Sequence, residues 1–204
     1  MMKKYKFFIE FEKEEKWLMG MAKQGLLIDN RSFGYQFRDI EPEETIIKMD
    51  FRKFKNQEDF IDYCTLFEDS GWKHIVGNKK SGYQYFKSID GTRTNDIFSD
   101  KISKAGKYNR LSKMFMDIAI SNIPLFIVFI LADIIDIHAM FNPKLLYFTP
   151  GIWEMTGTSF WTAFLFETPI AIMRGFAWSI IPITIILYFI FGIKAKRLYE
   201  LNKR

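Results

Sequence analysis

Two long apolar stretches constrain this chain more than any other feature. Residues 115–137 read FMDIAISNIPLFIVFILADIIDI, and residues 170–193 read IAIMRGFAWSIIPITIILYFIFGI. At about 1.5 Å per helical residue, each stretch is long enough to cross a hydrocarbon layer of about 30 Å. Pro124 and Pro182 lie within them, and membrane helices tolerate proline where a neighbouring group serves the freed carbonyl. The sequence therefore predicts a two-helix transmembrane hairpin.

The distribution of Lys and Arg predicts the orientation of these two spans. Basic residues crowd the juxtamembrane linker 101–114 and the tail 194–204, whereas the connecting segment 138–169 contains only Lys144. Lysine and arginine flank the cytoplasmic ends of membrane helices. We therefore expect a cell-membrane protein with both termini in the cytoplasm. Basic segments beside a span bind anionic inner-leaflet lipids, so lipid is the expected partner of these residues and nucleic acid is not.

Charged residues inside the predicted spans require an explanation. Asp133 and Asp136 lie near the outer end of the first span, and Arg174 lies near the outer end of the second. Three interpretations remain open. The charges lie at the interface and reach into headgroups, they form an intramembrane ion pair that locks the hairpin, or they line an ion or proton pathway.

The connecting segment 138–169 is rich in Trp, Phe and Tyr, which prefer the headgroup region. It either lies on the outer surface, with an interfacial helix near 158–167, or its last part begins a longer, broken second span. His138 stands alone, so the segment has no metal-ligand spacing.

The first half of the N-terminal region, about residues 4–40, predicts the order strand–helix–strand–strand. YKFFIEF at 5–11 alternates as a strand with Phe7, Ile9 and Phe11 on one face. The helix EKEEKWLMGMAKQG follows and ends at Gly25, and LLID and YQFRDI then predict two strands. The apolar stripe of this helix is Trp17, Leu18, Met21 and Ala22.

The second half, about residues 44–90, repeats this order. TIIKMDF predicts a strand, NQEDFIDYCTLFEDSG a helix that begins after Asn56 and ends at Gly71, and WKHIVG and YQYFKSI two more strands. The motif GYQF at 34–37 recurs as GYQY at 82–85. Gly34 and Gly82 are expected to ease the turns before the last strands. These matches indicate an internal duplication.

Two such halves predict an α+β fold: a duplicated strand–helix–strand–strand domain, residues 1–100, with an antiparallel sheet and both helices packed on one face. The opposite face would carry Phe8, Glu10, Lys48 and Asp50. The expected core consists of Phe7, Ile9, Phe11, Trp17, Met21, Met49, Phe51, Phe60, Phe67 and Trp72.

The stretch YKFFIEFEKEEKWLMGMAKQGLLID, followed by YQF and a two-span tail, resembles the family catalogued as domain of unknown function 2812. The matching motif is Glu15-Lys16-Trp17-Leu18 followed by Gly25. The resemblance covers roughly residues 4–90. It implies a membrane protein of Gram-positive-type bacteria, often encoded near PadR-type transcription regulators, with no assigned activity.

The tandem order of elements is also similar to the drug-binding domains of the gyrase-inhibitor-like superfamily, which bind hydrophobic ligands in a cleft between repeats. By that likeness the ligand-binding candidates are Glu10, Tyr35, Tyr83 and Tyr85. The alternative is that these four are ordinary residues of the sheet surface.

Catalytic motifs do not stand out in this sequence. Cys64 lies in an apolar helix pattern, and the carboxylates of EKEEK suit a solvated helix start. We expect no cofactor, no metal and no enzyme activity. The leading hypothesis is a membrane-anchored sensor or interaction module whose residues 1–100 fold alone and bind a partner protein or a small apolar ligand. The alternative is an accessory subunit of a transporter or envelope-stress system that acts through its spans. Homo-oligomers fit either hypothesis.

Overall fold

The computed structural model describes residues 2–90 and 96–204. Three short 3-10 turns, Ile137–Met140, Pro143–Leu146 and Ile152–Glu154, lie between the last two helices. In chain order the strands and helices are β1 (Met2–Lys4), α1 (Phe11–Ala22), β2 (Leu26–Ser32), β3 (Gly34–Asp39), β4 (Ile47–Phe51), α2 (Gln57–Asp69), β5 (Trp72–Val76), β6 (Tyr83–Ser88), α3 (Lys101–Leu131) and α4 (Gly157–Lys203).

The chain forms two compact units. One comprises Met1–Met114 with Phe191–Arg204, and the other comprises Phe115–Ile190. We call them the N-terminal unit and the hairpin unit.

The N-terminal unit has the predicted α+β class, and each half has the order strand–helix–strand–strand. The strands form two three-stranded antiparallel sheets with the same order, β1-β3-β2 and β4-β6-β5. The expected single sheet is therefore wrong, although β2 contacts β5 where the two sheets meet. Each sheet has a bulge at the matching place, between Ile28 and Asn30 in β2 and between His74 and Val76 in β5.

The predicted strand at 5–11 is wrong. β1 ends at Lys4, and α1 already begins at Phe11. Phe8 turns inward onto Trp17, with 5.5 Å between ring centroids, whereas Phe7 is 60% exposed and does not join the core. The apolar alternation reflects these separate contacts rather than one pleated strand.

The two helices do not share one face of a sheet. Successive residues of a strand point to opposite faces, and Tyr85 and Phe86 of β6 show what each face contacts. The Phe86 ring packs on Tyr63 and Phe67 of α2, whereas Tyr85 donates a hydrogen bond to Glu14 of α1. On its other side, α1 packs Trp17 against Phe37 of the first sheet. Helix α1 is therefore enclosed between the two sheets.

Glycines end the helices and begin the last strands as predicted. Gly25 and Gly71 follow α1 and α2 with φ of 79° and 85°. Gly34 and Gly82 also have positive φ, at 130° and 79°. These left-handed conformations favour glycine because they are strained for residues with a Cβ.

The recurring Gly-Tyr-Gln motif does not occupy equivalent positions in the two sheets. Phe37 pairs with Ile28 and Phe86 pairs with His74, in each case directly before the bulge, so Phe37 corresponds to Phe86. Counting back along each strand, Tyr35 then corresponds to Gln84 rather than to Tyr83. Burial agrees, because Tyr35 and Gln84 are both fully buried whereas Tyr83 is only half-buried. The motif is thus shifted by one residue between the halves, which reverses the face that each side chain occupies.

Helix α3 begins inside the N-terminal unit. Tyr108 and Leu111 of its first turns are buried there, as is Ala195 near the end of α4. The Ser112 hydroxyl donates to the carbonyl of Gly192 at 2.8 Å. The predicted linker 101–114 is therefore helical and is packed against the domain.

The hairpin unit contains most of the two apolar stretches. Helices α3 and α4 are both long and apolar enough to cross a membrane, and few residues in these stretches are buried. Large side chains such as Leu131, Phe166 and Phe176 are more than 70% exposed. Helix α4 continues through Pro169 and Pro182, so residues 158–169 form part of one long helix rather than a separate interfacial helix.

Candidate functional site

The acidic residues of α1 form the centre of a buried polar network. The sequence suggested a solvated helix start, and this is wrong. Glu14 and Glu15 are only 1% and 3% exposed. They are buried because α1 lies between the two sheets. Glu14 and Glu15 point in different directions from the helix, so each carboxylate contacts different elements.

Glu14 joins the two halves of the domain. Its Oε1 accepts hydrogen bonds from the hydroxyls of Tyr35, at 2.7 Å, and Tyr85, at 2.6 Å. Burial raises the pKa of the Glu14 carboxyl, although Arg31 and the two hydroxyls oppose this shift. Burial and the nearby Glu14 carboxylate also raise the pKa of Tyr35 and Tyr85, so both hydroxyls remain donors at neutral pH.

Arg31 of β2 lies beside this carboxylate and faces the second half. Its Nε is 3.7 Å from Glu14 Oε1, and its guanidinium lies over the Tyr83 ring at 3.5 Å from the centroid. The buried Nη1 atom has no hydrogen-bond partner among the described residues. Arg31 and Tyr83 line a cavity of about 200 Å³ between the bulged parts of β2 and β5. An unpartnered guanidinium nitrogen beside a cavity can bind a hydrogen-bond acceptor or an anion.

Glu15 connects α1 to β4 and to α3. Its Oε1 accepts the Met49 amide at 3.1 Å and lies 3.3 Å from Lys107 Nζ. Its Oε2 lies 3.3 Å from Lys48 Nζ. Lys107 belongs to the first turns of α3 and is only 1% exposed. A buried ammonium ion requires such partners because desolvation of an isolated charge is costly.

Glu12 provides the second contact of α1 with α3. Its Oε1 lies 3.4 Å from Lys107 Nζ, and its Oε2 accepts the Tyr108 hydroxyl. The Tyr108 oxygen in turn accepts the Phe11 amide at 3.0 Å, which satisfies one of the free N–H groups at the start of α1. Burial alone raises the pKa of Glu12, but Lys107 and Tyr108 outweigh it and hold that pKa below its ordinary value.

Asp50 of β4 makes a third contact with α3. It is 2% exposed and accepts hydrogen bonds from Arg110 Nη2 at 2.5 Å and the Tyr63 hydroxyl at 2.9 Å. Arg110 Nε also donates to the Phe51 carbonyl. The first turns of α3 are therefore held by both α1 and β4.

The structure brings three of the four predicted ligand-binding residues together. Tyr35 and Tyr85 share Glu14, and Tyr83 lies under Arg31. Glu10 is apart from them, at the start of α1, and pairs with Lys13. Sequence reasoning missed Glu14, Arg31 and Lys107. The acids of EKEEK carry no local signal for this role, because their partners Tyr35, Tyr85, Arg31 and Tyr108 come from four other elements.

Pairing of Asp133 and Asp136 with Arg174 is one of three interpretations of these charges, and the structure gives Asp136 and Arg174 other partners. Asp136 accepts the His138 amide at the start of a 3-10 turn, and Asp133 lies in a left-handed turn with φ of 54°. Arg174 instead contacts Glu167, 3.9 Å away and two helical turns earlier in α4. Helix α3 ends at Leu131, so the two aspartates lie in the loop beyond it rather than in the helix.

Glu167 and Arg174 hold the connecting loop against α4. Glu167 accepts the amides of Phe148 and Thr149. Arg174 donates to the Leu146 carbonyl, and its guanidinium lies over the Phe148 ring. We call residues 146–149 with Glu167 and Arg174 the loop clamp. These contacts fasten the loop to α4 and do not join α3 to α4.

The lone cysteine and the possible metal ligands do not form a further site among the described residues. Cys64 is half-buried, and burial raises the pKa of its thiol. Across residues 2–90 and 96–204, no three His, Cys, Asp or Glu side chains are arranged to hold a metal ion.

Comparison with known proteins gives one match. The model of the family described as Protein of unknown function (DUF2812) matches residues 10–120, more than half of the chain. The match includes the acidic start of α1 and the first turns of α3. No curated protein and no solved structure matches the chain.

Proposed function

We propose that this chain, which belongs to the DUF2812 family, is a membrane-anchored, non-enzymatic sensor. The family description assigns no activity. The N-terminal unit binds a ligand or partner, and the two apolar helices anchor it in the cell membrane. The observation that carries this proposal is the buried network that connects the Arg31 cavity to α3 through α1.

Membrane anchoring is supported by the exposure of the apolar helices. In a soluble protein such helices bury their apolar side chains, but few residues in these stretches are buried. The N-terminal unit contains both the start of α3 and the end of α4. Both termini then lie on one side of the membrane, and the basic residues beside the spans favour the cytoplasmic side, with anionic inner-leaflet lipids as their partners.

Coupling between the cavity and the membrane helices is supported by continuous contacts. Arg31 at the cavity contacts Glu14, and the adjacent Glu12 and Glu15 contact Lys107 of α3. A ligand that withdraws Arg31 from Glu14 removes a positive charge from beside the buried carboxylates of Glu14 and Glu15. Helix α1 then adjusts its contacts with α3.

The size of the cavity limits its ligand. About 200 Å³ is below the range of about 300–1,000 Å³ that is typical of sites for drug-sized molecules. The site suits a small ligand with an acceptor or anionic group, or one acidic side chain of a partner protein. The Tyr83 ring and Val76 supply its apolar part.

Hydrogen exchange of the full-length protein in lipid nanodiscs tests the coupling. We compare Arg31→Ala with Arg38→Ala, a control at an exposed arginine of β3. Arg31→Ala should accelerate amide exchange within residues 104–111 of α3, whereas Arg38→Ala should not. Unchanged exchange there in Arg31→Ala would show that the cavity and α3 are not coupled.

The exposed faces of α3 and α4 also support a second function, an accessory subunit that acts through its spans. Crosslinking and pull-down of the full-length protein from its native membrane distinguish the two. A second membrane protein recovered in stoichiometric amount, and lost when the spans are replaced by neutral helices, would favour the accessory subunit. Recovery of a soluble partner, or of a second copy alone, would favour the sensor.

A further inference from the structure

The N-terminal unit exposes large aromatic rings that the network above does not use. Tyr5, Phe7 and Phe33 are 77%, 60% and 96% exposed. A single exposed apolar side chain needs no explanation, but three neighbouring rings do. We call these three rings the aromatic patch.

Tyr5 and Phe33 share one surface although they come from two parts of the chain, and Phe7 lies two residues after Tyr5. Tyr5 lies against Gly34, so closely that a Cβ added at Gly34 would come within 2.9 Å of the Tyr5 ring. Tyr5, Phe33 and Lys3 line one shallow cavity at the turn between β2 and β3. Phe7 follows Tyr5 by two residues and packs on Phe191, with 5.2 Å between ring centroids.

The contact with Phe191 connects the aromatic patch to the predicted membrane. Phe191 belongs to the apolar stretch 170–193 and precedes the basic residue Lys194 by three positions. The next apolar residue, Ile193, is 54% exposed. The patch therefore continues an apolar surface at the point where the second span meets the cytoplasm.

The lysines around the aromatic patch also indicate that the patch contacts the membrane. Lys3 and Lys6 are exposed and alternate with the aromatic residues along the segment. Aromatic rings at headgroup depth, with lysines that reach anionic phosphates, are typical of membrane interfaces. A protein partner would not require this position beside a span.

We infer that the aromatic patch, with Lys3 and Lys6, docks on the anionic inner surface of the bilayer. The inference rests on the proposed membrane anchoring. Docking would add a second contact with lipid besides the helices and would fix how the N-terminal unit faces the membrane. A change in surface charge or lipid packing would then act directly on β1 and on the turn before β3.

Spin-label accessibility in the full-length protein tests this docking. Cys64→Ser removes the native thiol, and single labels are placed by Ser32→Cys beside Phe33, by Leu66→Cys on the exposed face of α2, and by Ile186→Cys in α4. The protein is reconstituted in vesicles of phosphatidylcholine and phosphatidylglycerol. Collision with a water-soluble nickel chelate should be lowest at position 186, reduced several-fold at 32, and high at 66.

The outcomes separate this inference from the anchoring that it requires. Equal collision at 32 and 66, with protection at 186, would overturn docking and leave the anchoring intact. High collision at all three positions would overturn both. Protection at 32 that disappears at a much lower protein-to-lipid ratio would indicate a second copy on the patch and would also overturn docking.

Variants of the aromatic and lysine residues identify which side chains reduce collision with the nickel chelate at position 32. Phe33→Ser should raise collision at position 32 in all vesicles. Lys3→Gln with Lys6→Gln should raise it only when phosphatidylglycerol is present, because these lysines act on anionic headgroups. Lys73→Gln, at an exposed lysine of β5, is the matched control and should change nothing. No response to either lysine or phenylalanine replacement would overturn the inference.

Discussion

At the scale of single residues, Lys107 is a fully buried cation of the N-terminal unit. It lies between Glu12 and Glu15, 3.4 and 3.3 Å away, with 1% of its side chain exposed. Glu12 and Glu15 do not need Lys107 to fold α1, because their helix propensity is already high. Glu15 needs it because its buried carboxylate has lost its hydration, and the half-buried Glu12 carboxylate adds a second negative charge beside it.

Lys107→Ala should therefore lower the free energy of unfolding by about 3–5 kcal/mol, since it removes the cation shared by Glu12 and Glu15 and leaves the buried Glu15 with Lys48 alone. Lys113→Ala, at an exposed lysine of the same helix, should change it by less than about 0.5 kcal/mol. Denaturant unfolding of the full-length protein in detergent, followed by near-UV circular dichroism, measures both. Equal values for the two variants would show that Lys107 is not a structural partner of α1.

His74 predicts a pH dependence of stability. Its ring lies between Phe60 and Phe86, and its Nε2 is 3.0 Å from Gln84 Oε1. The Gln84 amide nitrogen donates to two carbonyls, so Oε1 accepts and the neutral imidazole carries its proton on Nε2. Burial lowers the pKa of His74, although the hydrogen bond with Gln84 opposes this shift.

The unfolded chain then binds more protons than the folded chain between the folded pKa of His74 and about 6.5. The free energy of unfolding should fall as pH decreases through this window, by about 1.4 kcal/mol for each unit of pKa difference. His74→Phe should remove this component while it preserves aromatic packing. Unfolding midpoints of both proteins from about pH 7.5 to 5.5 measure it. Parallel midpoint curves would contradict the assignment.

At the scale of elements, the turns before the last strands allow a direct test of backbone geometry. Gly82 has φ of 79°, and a Cβ at this position would lie 2.7 Å from the Phe51 ring. Gly20 lies in the last turn of α1 with nothing within 4 Å of such a Cβ. The same substitution should therefore have opposite effects at the two positions.

Gly82→Ala should destabilise the N-terminal unit by about 1–3 kcal/mol, because alanine is strained at this φ and meets Phe51. Gly20→Ala should stabilise it by about 0.5–1 kcal/mol, because it reduces the backbone entropy of the unfolded chain. Thermal unfolding of the two variants side by side gives the sign of each effect. Stabilisation by Gly82→Ala would show that this turn does not have the left-handed geometry.

The loop clamp gives a prediction for the hairpin unit. Glu167 is 5% exposed and accepts the amides of Phe148 and Thr149. Glu167→Ala leaves these amides unpaired at a cost of about 1–3 kcal/mol, so they should exchange with solvent much faster. Glu154→Ala, at an exposed acid of the same loop, should not change their exchange. Hydrogen exchange of the peptide that contains residues 146–150 measures the difference, and equal protection in both variants would contradict the clamp.

Local sequence patterns predict which helices and strands form, but they do not predict how these elements pack together. Apolar periodicity and glycine positions are enough to find α1, α2 and the strand–helix–strand–strand order, because those signals are local. The strand predicted at 5–11 is wrong because its apolar residues do not line one face of a strand. Phe7 contacts Phe191 and Phe8 contacts Trp17, two distant residues that the local pattern does not reveal. The position of α1 between two sheets could not be predicted, since nothing in its own sequence distinguishes a solvated carboxylate from one that meets Tyr85 and Lys107.

At the scale of the whole molecule, the N-terminal unit is assembled from distant parts of the chain. The sensor hypothesis places an independent domain at residues 1–100. The structure instead adds the first turns of α3, whose Tyr108 and Leu111 are buried in this unit. A fragment that ends at residue 100 lacks these side chains and also leaves Glu12, Glu15 and Asp50 without their cations from α3.

A fragment of residues 1–114 should therefore be more stable than a fragment of residues 1–100 by at least about 3 kcal/mol, the cost of exposing or stranding one buried charge pair. Urea unfolding of both fragments, monitored by tryptophan fluorescence, gives this difference. The longer fragment should also show a larger dependence on denaturant concentration, because it exposes more surface when it unfolds.

The double variant Lys107→Ala with Arg110→Ala in the 1–114 fragment separates charge from apolar packing. It retains Tyr108 and Leu111 but removes both cations that contact α1 and β4. If the buried ion pairs provide most of the stabilisation, the double variant should be no more stable than the 1–100 fragment. Stability close to that of the unchanged 1–114 fragment would instead assign the coupling of α3 to apolar packing, and α1 would then transmit ligand binding by its position rather than by its charge.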